Sequence, residues 1–275
     1  MMNELNGNYI TVNYLNQYFE NDARMFVEHY DKEDYKNTVF VLGTNVFQTF
    51  ESFEKKYKNK KIIIWQTEQL FIEDDPNSQP FQSAEAITQS LSQVNKSKGH
   101  EIWDIDFMNA EYLRLKGVTV DRIAPVRFCE SLRELNTIHG SEEIDVLFFG
   151  NINKRRANIF NQLCYELFHH NLNVVFNFGM GLNTQKRYIE KSKIILNIHH
   201  TNQYNRQEQP RIFYSLINKK CVLSETSQHN YFGEAIVESD ISNMSNAILN
   251  LIKNNNYIQQ AEKGFEIFKQ RGAIY

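Results

Sequence analysis

At 275 residues and a formal net charge of −3, the chain lies near the upper limit for one hydrophobic core, favours two medium domains and has no global positive field to hold a polyanion. An apolar content of 41%, with 20 Phe and 14 Tyr, fills real cores and excludes a disordered chain. MMNELNGNYITVNYLN lacks the pattern of a secretory leader, no run approaches the ~20 apolar residues of a membrane span, and Cys129, Cys164 and Cys221 have neither CxxC nor zinc-finger spacing, so the expectation is a cytoplasmic protein in a reducing compartment.

The first 35 residues carry few strand signals. Beyond them, β-rich runs alternate with helical patterns: NTVFVLG (37–43), KKIIIWQ (60–66), HEIWDID (100–106), TVDRIAPV (119–126), EIDVLFFG (143–150), LNVVFNFG (172–179), SKIILNIHH (192–200), KCVLSE (220–225) and EAIVE (234–238). Such alternation specifies an α/β fold with parallel sheets. Runs such as VFVL, IIIW and VLFF are apolar without alternation, as in strands covered on both faces. The helical patterns at 156–168 and 244–254 have apolar stripes that pack, with Ile159, Phe160, Leu163, Leu167 and Phe168 on the first and Ile248, Leu251 and Ile252 on the second. Cys221, inside the apolar KCVLSE, is expected as a small core residue. The polar stretch at 130–142 precedes a fresh strand-turn-helix unit, which places a boundary there: residues 1–135 form an abbreviated N-terminal Rossmann-like domain, 136–275 a second one, and two such halves facing each other leave a cleft.

Two stretches carry chemistry. In DVLFFGNINKRR (145–156) a buried strand ends at Gly150, and a helix opens near Lys154 with Arg155 and Arg156 in its first turn, where the helix dipole disfavours cations. An anion resolves that conflict: Gly150 and Asn151 bring backbone close, the helix N-terminus offers N–H groups, and the three cations add charge-assisted bonds. A solvated basic turn is the alternative. In KSKIILNIHHTNQYNRQEQPRIFYSLINKKCVLSE (191–225) a strand ends at His199 and His200, and Asn202, Glu208 and Arg211 follow, with Pro210 suited to the first turn of a helix. Ligands of open α/β sheets bind just beyond such strand ends.

Weaker signals compete. Asp104 and Asp106 form an Asp-x-Asp triplet that in isolation suggests a metal, but no partner cluster of oxygen ligands accompanies it. KKYKNKK (55–61) reads alone as a nucleic-acid patch, and between a helix and a buried strand as a solvated connection. IEDDPNSQP (72–80) is an acidic loop with two prolines.

The order of D-V-L-F-F-G, K-R-R, S-K-I-I-L-N-I-H, E-x-x-R-I-F and V-L-S-E resembles the C-terminal half of GT-B glycosyltransferases, in particular the "glycosyl transferases group 1" proteins related to the spore-maturation protein CgeB. IIIWQTEQL (62–70) and EIWDIDFMNAEYLRLKGVTVDRIAPV (101–126), with a strand ending in Trp-Asp before an Asn-containing helix, resemble that group's N-terminal half. The resemblance implies transfer of a sugar from a nucleotide-sugar donor, metal-independent and without a cofactor, with the donor on the C-terminal half and the acceptor on the other. It implies donor contacts from Gly150, Asn151, Lys154, Arg155, Arg156, His200, Asn202, Arg211, Tyr214 and Glu225, with His199, Glu208, Asp104 and Glu68 nearest the chemistry. Tyr214 stands where many members carry a Glu thought to hold the ribose hydroxyls. A glycan or other molecule is the acceptor. The alternatives are a phage-type transferase acting on DNA bases and a non-catalytic binding or assembly module.

Overall fold

The computed structural model describes residues 3–43, 50–70, 84–96, 99–200 and 207–272, in two compact units, Met1–Val126 and Arg127–Tyr275. The expected helix-flanked parallel sheets are present, one in each unit. The division lies before the polar stretch at 130–142, because the strap that opens the second unit is bonded to that unit. The side-chain amide of Asn218 accepts the N–H groups of Glu134 and Leu135 at 3.0 and 2.9 Å and donates to the carbonyl of Leu132 at 3.0 Å.

In the first unit, β1 (Asn3–Asn6) pairs antiparallel with β2 (Ile10–Tyr14), followed in parallel by β3 (Thr38–Leu42), β4 (Lys61–Gln66), β5 (Glu101–Asp104) and β6 (Arg122–Ile123). Strand order follows chain order without reversal. The β-branched and aromatic residues of β3 and β4 suit a pleat covered on both sides. One face, with Val39, Val41, Ile62, Ile64 and Ile102, forms a cluster with apolar residues of α2 (Phe50–Lys56), α3 (Ala84–Lys96) and α4 (Phe107–Leu115). The other carries α1 (Glu20–Tyr30), whose Phe26 and Tyr30 rings lie 4.8–5.5 Å from those of Phe40, Trp65 and Trp103. The first 35 residues thus supply two strands and a helix.

In the second unit the strands are β7 (Ile144–Phe149), β8 (Val174–Asn177), β9 (Ser192–Asn197), β10 (Cys221–Glu225) and β11 (Val237–Ser239), all parallel, in the order β11-β10-β9-β7-β8. The helices are α5 (Lys154–Leu167), α6 (Leu182–Glu190), α7 (Gln209–Ile217), α8 (Met244–Ile252) and α9 (Asn256–Gly272). From β7 the chain steps outward to β8 and then returns across β7 to β9, so the strand order reverses between β7 and β9. Open parallel sheets bind ligands beyond the carboxyl ends of the strands at such a switch point. Cys221 is 1% exposed and burial pushes its thiol up to about 12, as suits a core residue. Among the described residues no helix is long and apolar enough to cross a membrane.

Asp22, in the first turn of α1, is buried, and its Oδ1 meets no hydrogen-bond donor among the described residues. Burial pushes its carboxyl up to about 8, against a smaller opposing effect of its own backbone N–H. The folded state therefore holds a proton that the unfolded chain releases near its ordinary value of 3.8, and stability falls as pH rises from there toward 8. Asp22→Asn is expected to melt with the wild type near pH 4 and several degrees above it at pH 8, in thermal melts across that range. Parallel pH profiles for the two proteins would show that Asp22 ionises normally.

Candidate functional site

The loops at the carboxyl ends of β7, β9 and β10 bring most of the expected residues of the second unit together. Gly150 follows β7 with φ +142°, a conformation that favours glycine, and a Cβ there would stand 3.0 Å from Arg211 Nη2, so a side chain would be strained and would press that guanidinium away from the backbone. Three residues on, Asn153 caps α5, its Oδ1 accepting the N–H of Arg156 at 2.9 Å. Its Nδ2 donates to the carbonyl of His200 at 2.6 Å, tying the β7 loop to the β9 loop.

The two first-turn arginines are met by protein groups. Arg156, 2% exposed, donates from Nη1 to Asn151 O at 2.7 Å, from Nη2 to Ile198 O at 2.7 Å and from Nε to Ile198 O at 3.1 Å, with its guanidinium 5.2 Å from the Phe148 ring. Arg155 makes a two-pronged ion pair with Glu225 and donates from Nη1 to His199 O at 2.9 Å. Glu225 Oε2 in turn accepts the His199 N–H at 2.9 Å, so both polar groups of that residue's backbone are fixed. Arg155, Arg156 and Glu225, expected to bind a donor, are engaged with one another and with the backbone of the loops after β7 and β9.

The His199 imidazole is 2% exposed, with Nε2 3.3 Å from Thr226 O. Burial pushes its pKa below the usual histidine range, only partly opposed by the carboxylates of Glu225 and Glu208, so it is neutral at pH 7. Arg211 lies in the first turn of α7, half-buried, its Nη1 donating to Asn197 Oδ1 at 2.7 Å and its guanidinium 5.4 Å from the Phe148 ring. Asn197 is fixed in turn by Ser224 Oγ at 2.9 Å. Glu208 is the N-cap of α7, Pro210 is in its first turn, and Ile212, Phe213 and Leu216 anchor the helix in the core. Asn151, on the loop after Gly150, and Lys154, the first residue of α5, are exposed.

Tyr214 stands apart from this group. It is 3% exposed and its phenol donates to Glu134 Oε1 at 3.0 Å, on the strap. Asn202 and the acidic loop 72–80 lie outside the described residues. Sequence reasoning missed Asn197, Asn153 and Phe148, which hold Arg211, the helix start and the two guanidinium groups. It also missed Phe178, 39% exposed just after Asn177, whose carbonyl accepts the Gly150 N–H at 3.3 Å. The Asn cap three residues before Arg156 was the one available signal.

In the first unit, Glu68 and Asp104 share partners. Gln66 Nε2 donates to Glu68 O at 2.7 Å and to Asp104 Oδ2 at 3.3 Å, and Asn109 Nδ2 to Glu68 O at 2.8 Å and to Asp104 Oδ1 at 3.1 Å. Asp104 is fully buried, whereas Glu68 is half-buried. Asp106 caps α4 through the N–H of Met108 at 2.8 Å, and no group of three His, Cys, Asp or Glu among the described residues is placed to hold a metal ion. In KKYKNKK, Lys56 pairs with Glu4 at 3.0 Å, Lys61 pairs with Glu101, and Lys56 and Lys60 lie 4.6 and 5.8 Å from the Tyr57 ring centre.

No protein-family model matches the chain, and no curated protein matches it. Among solved structures, sucrose-phosphate synthase from Thermosynechococcus elongatus is similar with a TM-score of 0.55 at 9% identity, over 86% of this chain and 69% of that one. The DNA-modifying enzyme β-glucosyltransferase, solved with and without its substrate uridine diphosphoglucose, is similar with a TM-score of 0.50 at 13% identity, over 86% of this chain and 78% of that one. At these identities the likeness is one of fold, and the chain has the two Rossmann-like units of the GT-B architecture.

Arg156→Met leaves the carbonyls of Asn151 and Ile198 without their guanidinium and is expected to cost about 2–4 kcal/mol of stability. Lys154→Ala is expected to leave the melting temperature within about a degree, as an exposed charge does. Denaturant unfolding of both variants checks the contrast between a loop-holding arginine and an exposed lysine.

Proposed function

We propose that the chain is a glycosyltransferase that takes a sugar from a nucleotide-sugar donor, with the second unit holding the donor and the first the acceptor. The observation that carries this reading is the half-buried Arg211 at the N-terminus of α7, laid against Gly150 at the β7/β9 switch point. A helix N-terminus, a close-approach glycine and a planar guanidinium together suit a diphosphate. The order of motifs resembling the CgeB-related group supports the same reading.

In the reaction, the bond between the anomeric carbon and the diphosphate oxygen breaks while an acceptor oxygen bonds to that carbon and gives up its proton. Negative charge grows on the departing nucleoside diphosphate, where Arg211, Lys154 and the α7 N-terminus stabilise it electrostatically. In this reading protein cations meet that charge. Glu208, at the α7 N-cap, orients donor hydroxyls, and the neutral His199 serves as a hydrogen-bonding group beside them. On the acceptor side Glu68 takes the proton. Asp104 is a positioning residue, since its buried carboxylate accepts bonds from Gln66, Asn109 and the Asp106 N–H.

Thermal-shift measurements with nucleoside diphosphates and nucleotide sugars, first without metal and then with magnesium or manganese, test the donor site. A ligand that binds only the folded state raises the melting temperature. One nucleotide family is expected to do so without metal, and Arg211→Ala to abolish the shift. Uridine diphosphoglucose is the first donor to try and duplex DNA an acceptor to set beside glycans, given the DNA-modifying fold neighbour. Glu68→Gln is expected to keep donor binding and to slow transfer by about 10²–10⁴-fold. Absence of any shift overturns the donor site, and binding without transfer to any acceptor leaves a binding module.

A further inference from the structure

Each of the two sheets ends in two edge strands, and three of the four edges carry a charged side chain. Glu4 lies in β1 and Arg122 in β6, while in β11 Glu238 accepts bonds from Gln207 Nε2 at 2.7 Å and from Asn230 Nδ2 at 2.8 Å. Charges of this kind keep an edge from pairing with another strand. The fourth edge, β8 with the sequence VVFN, has none, and between Leu167 and Met180 the ionisable side chains are those of His169 and His170 alone. Its neighbour β7 is buried along most of its length, whereas every residue of β8 is half-buried. One side of β8 bonds to β7, and among the described residues no strand takes the other.

The surface beside that edge is apolar as well. Val174 and Phe176 pack toward α5, where the Phe160 ring stacks on that of Phe176 with centres 4.1 Å apart. Phe178 continues the same row and is 39% exposed. On the far flank of α5, Glu166 accepts a bond from Ser245 of α8. Cys164 and Phe168 stand two residues before and after Glu166, roughly 200° round the helix from it, which sets both on the flank above β8. Cys164 is exposed, Phe168 is 75% exposed, and Tyr165, one turn before Phe168, is 84% exposed. The exposed parts of Tyr165, Phe168 and Phe178 amount to roughly 400 Å², about half of the ~800 Å² that each partner gives to a standard interface, and the strand edge adds to it.

Such an edge finds matching chemistry in a second copy of itself. Two β8 strands can run antiparallel across a two-fold axis perpendicular to the sheet, each offering the N–H and C=O groups that the other lacks. Neither strand has a charge, so no like charges meet. That axis leaves both α5 helices on the same face, and the Cys164 and Phe168 flank of one copy approaches that of its partner. The pairing uses up the edge in both copies and stops at two. A foreign strand satisfies the backbone groups alone, whereas a second copy also covers the aromatic flank with an identical one. We propose that the chain forms a symmetric dimer in which β8 pairs with β8 of a second copy, joining two five-stranded sheets into one, with Phe168 at the contact between the α5 helices. This assembly is independent of the donor-site reading.

The test is sedimentation velocity of the full chain from about 1 to 100 μM, with amide hydrogen exchange at the two ends of that range. A species of twice the 32.5 kDa chain mass is expected to grow with concentration, and the amides of residues 172–178 to exchange several-fold more slowly at the higher one. Phe168→Glu sets a carboxylate on each side of the axis and is expected to raise the dissociation constant about tenfold or more. Because that side chain is 75% exposed, the variant is expected to keep the circular dichroism of the wild type. Val175→Lys, which gives β8 the charge that the other three edges have, is expected to weaken the dimer in the same way. A chain that stays monomeric at the highest concentration overturns the proposal. So does a dimer that persists in both variants, or one whose β8 amides exchange at the monomer's rate, since its interface then lies elsewhere.

Discussion

The buried guanidinium of Arg156 is the interaction on which the loops at the switch point depend. It is desolvated, so it must be fully bonded or expelled. Its donors reach Asn151 on the loop after β7 and Ile198 after β9, bridging the two strands between which the order reverses. The planar fork can serve carbonyls on two separate loops at once, which a lysine ammonium on a flexible stem does poorly. Phe148 beneath it supplies a ring face that stabilises a cation without hydrogen-bonding it. The positions of Gly150, His199 and the start of α7 follow from that tie.

A charge division follows from the same packing. Arg155 is neutralised by Glu225, Arg156 is occupied by carbonyls, and His199 is held neutral by burial. Of the other two cations, Lys154 is exposed and Arg211 donates to the neutral amide of Asn197. A site with all four cations and an imidazolium exposed would bind any polyanion. One with a single oriented guanidinium at a helix N-terminus favours a ligand whose anionic group is compact and whose remaining parts find their own partners. That agrees with the chain's overall charge of −3, which provides no long-range attraction for a polyanion.

The parallel cores were legible because their signal is local: VFVL, IIIW and VLFF are apolar in unbroken runs, and only strands covered on both faces tolerate that. The reversal at β7/β9 was not, since strand order depends on which apolar surfaces meet. Two arginines in a first turn that disfavours cations are a local signal, but the anion that Arg155 meets is Glu225, 70 residues away. The carbonyls that occupy Arg156 belong mainly to a strand end some 42 residues on. In β1 and β2, NELN and ITVNY alternate weakly, and their pairing is fixed partly by Asp31, whose carboxylate accepts the N–H groups of Asn8 and Tyr9 at 2.7 and 2.6 Å. Nothing in the local text announces that capture.

The helix α7 is restrained along its whole length, which bears on how a ligand would be met. Its first turn is held through Arg211 by Asn197 and Ser224, its middle by Ile212, Phe213 and Leu216 in the core, and its end by Asn218 against the strap. Ordering a mobile side chain on binding costs about 0.5–1.5 kcal/mol, and a helix already fixed at three points avoids much of that cost. Arg211 and Glu134 are then set by the same rigid element, one directly and the other through Tyr214 and Asn218. A displacement of the strap cannot move the carboxylate without disturbing the last turn of the helix that carries the guanidinium. Tyr214 adds a further restraint in the middle of the helix, since its buried phenol is bonded to a carboxylate of the strap 80 residues upstream.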